Sequence, residues 1–227
     1  MSFKLDILFE DNHLLVVNKP PLVATMGAAE GEPSLHQLAQ DYIRHKYNKP
    51  GNVFIGVVSR LDAFVTGVIA LARTSKAASR LSDQFRTGIV QKTYWALIPD
   101  SDLPTSGALD DWLQKNDARR RMEVVPDDSN YPNAKHARLK YKTLSCSNGV
   151  RLIEIELETG RKHQIRVQFE NAGAPILGDR KYGSQRRFHK GIALHCRRLE
   201  IIHPTKKVSQ SFQTTPPDWW NLDQFSI

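Results

Sequence analysis

Cysteine is nearly missing. The 227 residues hold two, Cys146 and Cys196, with neither the paired spacing of a metal site nor the density of a disulfide scaffold, so a reducing cytoplasm is the expected setting. Long apolar runs are missing as well: nowhere do about eighteen uncharged apolar residues follow one another, which excludes a membrane-spanning helix on sequence grounds. The opening Met1-Ser2-Phe3-Lys4-Leu5-Asp6 lacks the extended apolar stretch of a secretory leader. There is no Gly-rich loop of the kind that cradles phosphates and no His/Cys cluster, so neither a nucleotide cofactor nor a metal is expected. No heptad pattern runs through the chain, which argues for a monomer. The absence of repeats, low-complexity segments and linkers argues for one domain spanning 1–227.

What is present is an ordinary core former with a basic surface. Hydrophobic residues make up 40% of the chain, enough for a packed interior, and 32 Lys plus Arg outweigh 24 Asp plus Glu to leave a net charge of +8. Such a balance draws polyanions, nucleic acid first among them, although many basic proteins never meet one.

Two β-prone runs, 7–10 and 13–18, flank Asp11-Asn12 and read as a hairpin that Lys19-Pro20-Pro21 ends. From 34 to 47, Leu35, Leu38, Ala39, Tyr42 and Ile43 recur at helical spacing behind Ser34 as N-cap. Residues 54–58 and 68–72 read as strands, the second buried on both faces by its unbroken apolar run. A helix over 75–86, with Ala78, Leu81, Ser82 and Phe85 inward and Gly88 as its stop, leads to a strand at 93–98. Residues 99–135, rich in Asp, Pro, Ser and Asn, are expected to form short strands and loops. Strands at 138–144 and 150–158 flank Ser147-Asn148-Gly149, a hairpin turn. A helix over 162–171 stopped by Gly173 and two strands within 192–212 complete the chain. Strands outnumber helices and follow one another through hairpins, so the class is α+β: a mixed, mainly antiparallel sheet with flanking helices.

Three segments carry a shared chemical character. Arg60-Leu61-Asp62 joins two expected strands, Lys92-Thr93-Tyr94 opens another, and Gly160-Arg161-Lys162-His163-Gln164-Ile165-Arg166 joins a strand to a helix. A carboxylate at a strand end among apolar neighbours is costly to ionise unless a cation pairs with it, and Arg166 is a candidate. Singly, each feature has a plainer reading: Asp62 as a turn residue, Tyr94 as half-buried core, Arg166 as solvated helix surface.

Together, and in this order, the segments resemble the signature of the RluA-type pseudouridine synthases. The likeness extends to Val17-Asn18-Lys19-Pro20, Lys92-Thr93-Tyr94-Trp95-Ala96, Leu177-Gly178-Asp179-Arg180-Lys181-Tyr182-Gly183, Ala193-Leu194-His195 and His203-Pro204, nearly the whole chain. It implies the pseudouridine synthase catalytic fold with a central cleft, and isomerisation of uridine in structured RNA, ribosomal or transfer, without a cofactor. Asp62 would be the catalytic carboxylate, Tyr94 would pack on the base and take part at carbon 5, and Arg166 would pair with Asp62. Arg60, Leu61, Phe64, His163, Gln164 and Leu194 would contact the substrate. Asp62 adding to the uracil ring, attacking ribose carbon 1′, or taking the 2′ proton are three routes that stay open.

The chain departs from the family at one informative place. Ser59-Arg60-Leu61-Asp62-Ala63-Phe64-Val65-Thr66-Gly67 has Ser where a His is usual and Ala63 where an Arg is thought to enter the RNA stack. Phe64 is then either core or an apolar wedge in place of that Arg. The departure also raises the alternative of a catalytically impaired RNA-binding relative. Arg119, Arg120, Arg121, Lys162, Arg180, Lys181, Arg186 and Arg187 are candidates to track phosphates. Because the first expected strand begins at residue 7, a separate N-terminal RNA-binding domain is not expected.

Overall fold

The computed structural model describes residues 5–127 and 130–226; the expectation of no leader at 1–4 falls outside them. The chain divides into two compact units, the first of residues 1–92 and 195–216, the second of 93–194 and 217–227.

Unit 1 begins with the expected hairpin, β1 (Asp6–Glu10) and β2 (Leu14–Lys19), closed by Asp11, whose Oδ1 accepts from the N–H groups of His13 and Leu14. α1 (Leu35–Lys46) starts at Ser34 with a reciprocal cap: Gln37 N–H donates to Ser34 Oγ, and Ser34 N–H donates to the Gln37 side chain. Such a cap stabilises a helix by about 1 kcal/mol. Leu35, Ala39 and Ile43 form its buried stripe. β3 is only Gly56–Val57, shorter than the 54–58 expected, because only these two residues pair with β4, opposite Ala72 and Leu71. β4 (Thr66–Ala72) is buried at all seven positions, as its continuous apolar run requires. α2 (Ser75–Thr87) is capped by Thr74 and stopped by Gly88 at φ 75°. Its buried residues are Ala77 and Leu81, while Ser82 is exposed and Phe85 half-buried. The inward face is therefore rotated from the one expected, with Ala77 on it and Ser82 off it.

β10 (Leu194–Ile202) and β11 (Ser209–Gln213) return to unit 1. Hydrogen-bonded neighbours run β1-β2-β4-β10, with β11 beside β10 and β3 also paired to β4. All these pairs are antiparallel except β4 with β10, parallel through His195↔Thr66 and Cys196↔Gly67. There Gly67 sits at φ 112°, and a Cβ on it would lie 2.6 Å from Cys196 N. Only hydrogen fits between two backbones that close. Gly67→Ala is expected to cost about 3 kcal/mol or to prevent folding, measured as the urea midpoint; an unchanged midpoint would refute this reading of the β4–β10 contact.

Unit 2 is built on β5 (Gln91–Pro99), β6 (Ser106–Asn116), β7 (Arg121–Val125), β8 (Lys135–Ser147) and β9 (Val150–Leu157), in the order β5-β9-β8-β6-β7, all antiparallel. Asn148 and Gly149, at φ 51° and 67°, make the two-residue turn between β8 and β9. The region expected to hold short strands and loops instead contains β6, eleven residues long. It was hidden because only Leu113 is buried along it, so a strand facing water on most positions shows no alternation. α3 (Gln164–Asn171) lays Val167 against Leu113, Met122, Ala137 and Tyr182. The class is α+β with a mainly antiparallel sheet, as expected.

Candidate active site

In unit 1, Arg60, Leu61, Asp62 and Phe64 share the loop between β3 and β4. Asp62 is half-buried, Leu61 is buried, and Arg60 and Phe64 are exposed. Phe64 is thus not a core residue. A turn bonds Val65 N–H to Asp62 O at 3.0 Å. The loop is held from behind by two side chains to which the sequence reading gave no role. Thr25 Oγ1 donates to Leu61 O at 2.7 Å and accepts from Leu61 N–H at 3.2 Å. Lys19, fully buried at the end of β2, donates from Nζ to Pro20 O and Val23 O, both at 2.8 Å, and to Ala63 O at 3.1 Å. An ammonium has three hydrogens, so all three are engaged. Burial pulls the Lys19 pKa down to about 7, against the opposing pull of the Asp62 charge. A lysine directly after Leu-Leu-Val-Val-Asn was the available signal, since that run is the interior of a strand.

His195 stands beside this loop on β10, wholly buried. Its Nε2–H donates to Thr214 O at 3.1 Å, which leaves Nδ1 to accept from the Thr66 hydroxyl at 2.7 Å. Burial pushes its pKa down to about 4, so it stays neutral where an unfolded chain's histidine at 6.5 would take a proton. Folded protein therefore binds fewer protons than unfolded between those values. The contribution is complete above pH 6.5 and is lost as pH falls toward 4, about 3 kcal/mol in full. Urea unfolding of the parent chain should weaken over that window, and His195→Gln should flatten the slope; an equal slope in both would refute it.

In unit 2, Tyr94 is buried on β5 opposite Ile155. Leu194 is buried at the start of β10. His163, Gln164 and Arg166 lie at the start of α3. Gln164 braces the preceding loop: its Oε1 accepts from Thr159 Oγ1 at 2.8 Å and Arg161 N–H at 3.0 Å, and its Nε2 donates to Arg138 O at 3.1 Å. The guanidinium of Arg166, buried, is gripped by Asp179 through two parallel bonds, Nε to Oδ2 at 2.6 Å and Nη2 to Oδ1 at 2.9 Å. Tyr182, also buried, presents its ring to two cations, Arg166 at 4.8 Å and Arg121 at 4.7 Å from the ring centroid. Its hydroxyl accepts from Met122 N–H at 3.1 Å and meets His163 Nδ1 at 2.7 Å. Burial, foremost, holds the Tyr182 phenol above its ordinary pKa. Asp179 and Tyr182 lay in the motif of the resemblance but were assigned nothing, since their partners are distant in sequence.

Among the described residues no three His, Cys, Asp or Glu side chains converge as a metal site needs, and no helix is long and apolar enough to cross a membrane.

The architecture is that of the pseudouridylate synthases. The solved structure of human RNA pseudouridylate synthase domain containing 4 superposes with a TM-score of 0.79 over 98% of this chain and 94% of that one, at 24% identity. Human RNA pseudouridylate synthase domain containing 1 gives 0.77 over 98% and 88%, at 22%. The sequence adds the family. Residues 13–171 match the profile of the RNA pseudouridylate synthases. The uncharacterized RNA pseudouridine synthase YjbO of Bacillus subtilis is 30% identical over 94% of this chain and 73% of its own length. Ribosomal large subunit pseudouridine synthase D of Zymomonas mobilis is 31% identical over 94% and 69%. The chain belongs to the RNA pseudouridine synthases, on their RluA-type branch. It is an isomerase acting on RNA.

Proposed function

We propose that the protein isomerises particular uridines in structured ribosomal or transfer RNA, with Asp62 as the catalytic carboxylate and Tyr94 and Arg166 acting on the same nucleotide. The observation that carries this reading is the treatment of Asp62: a half-buried carboxylate on a loop pinned at Leu61 and Ala63 by Thr25 and Lys19. Pinning of that kind suits a group that must meet a substrate atom in one geometry. In the reaction the N1–C1′ bond breaks, a C5–C1′ bond forms, the proton on carbon 5 leaves and N1 gains one. The base is kept, so no redox partner or energy source enters the balance.

Arg166 is already oriented by Asp179 and Tyr182, so its charge is prepaid in position before substrate binds and is suited to keep Asp62 ionised. Tyr94 packs on the base and Leu194 bounds it. Arg60 and His163 contact the RNA, Leu61 sets the backbone of the loop, and Gln164 serves through the loop it braces. The chain works as one catalytic domain, a monomer in the cytoplasm, which its cysteine usage favours. The named target of the Zymomonas relative, the large ribosomal subunit, makes ribosomal RNA the first substrate to try.

The test is tritium release from RNA labelled at uridine carbon 5 and extracted from a strain lacking the gene, followed by pseudouridine mapping of that strain. Release by the parent chain and a site missing from the strain's map are expected. Binding without release would leave an RNA-binding relative that has lost catalysis.

A further inference from the structure

The two loops joined by Lys19 sort their side chains by face. Val23, Thr25, Leu61 and Val65 point inward and are buried, while Leu22, Met26 and Phe64 stand out, 55%, 52% and 48% exposed. The one Nζ that holds Val23 O also holds Ala63 O, so the residues next to these carbonyls, Leu22 and Phe64, sit on two segments tied to a common ammonium. Leu22 is the unusual one. It has φ 65°, a left-handed backbone that a leucine enters only under strain, and Lys19 clamps the chain on both sides of it through Pro20 O and Val23 O. Neither strain nor exposure of a large apolar side chain helps the fold. Glycine at this position would relieve the first and any polar residue the second. Ala63, next to Phe64 in the chain, offers neither reach nor charge, and exposed Arg60 is on the same loop.

We propose that Leu22 and Phe64 form a two-pronged apolar wedge that stacks on the bases flanking the target uridine and holds open the gap left when that nucleotide swings toward Asp62. The inference rests on the proposed reading of Asp62 and extends it to the neighbouring nucleotides. Nucleobases are the occupant because the family acts on RNA, because bases accept flat apolar contact whatever their sequence, and because exposed Arg60 on the Phe64 loop suits a phosphate. Lys19 is the positioning residue that sets both prongs.

The experiment uses a synthetic stem-loop copied from the mapped site, with 2-aminopurine placed 3′ to the target uridine, and the full chain as parent, Leu22→Gly, Phe64→Ala and Leu22→Met. The parent should raise 2-aminopurine emission several-fold on binding. Leu22→Gly and Phe64→Ala should bind within about threefold, since phosphate contacts carry affinity, yet leave emission near that of free RNA and lose at least about tenfold in kcat. Leu22→Met should retain most of both. Leu22→Gly should also melt within about 2 °C of the parent, glycine being at ease at that φ, which separates a lost wedge from a lost fold. Emission and kcat at parental level in both truncations overturn the wedge. Failure of the catalytic reading shows differently, as a parent chain that opens the base but forms no pseudouridine.

Discussion

Asp62→Asn is expected to lower isomerase turnover by about 10^4-fold, or roughly 5 kcal/mol of transition-state stabilisation, with RNA affinity and melting temperature close to parental. The substitution keeps the shape of the side chain and removes its charge and its nucleophilic oxygen, whichever of the three routes the carboxylate follows. The loop keeps two backbone holds that the substitution leaves in place, at Leu61 by Thr25 and at Ala63 by Lys19. Tritium release measured beside a filter-binding assay checks both halves. Full turnover in the Asn variant would end the assignment of Asp62.

Asp179→Ala is expected to destabilise the chain by about 3–5 kcal/mol, lowering the melting temperature by roughly 10 °C, and to depress turnover as well. Asp179 and Arg166 are both buried and joined at 2.6 and 2.9 Å. Removing the carboxylate deprives a desolvated guanidinium of the acceptor that fixes its plane. The double variant Arg166→Met with Asp179→Leu separates the two consequences, because an apolar pair of similar volume restores much of the stability of a broken buried ion pair. It should recover several degrees of melting temperature and no turnover. An Asp179→Ala chain within about 1 kcal/mol of the parent would show that the pair does not hold α3 in place.

Much of the architecture could be read from local pattern. The Ser34 cap, the Gly88 stop and the Asn148-Gly149 turn all depend on interactions within a few residues, and the structure has each where the pattern placed it. Where pattern failed, burial was the missing quantity. Ten of the eleven β6 residues are not buried, only two residues of 54–58 pair with β4, and in α2 Leu81 is buried as expected while Ala77 replaces Ser82 on the inward face.

The chain's residues by themselves determined the class of fold, the order of most elements and the family, because helix periodicity, turn chemistry and short motifs are properties of neighbours in sequence. Only the tertiary structure decided what stands behind the motifs: Lys19 and Thr25 under the Asp62 loop, Asp179 and Tyr182 around Arg166, and a strained leucine beside an exposed phenylalanine. The physical reason is that the worth of a charge or a hydrogen bond depends on its partner's distance and on the water excluded between them, and both exist only once the chain has packed.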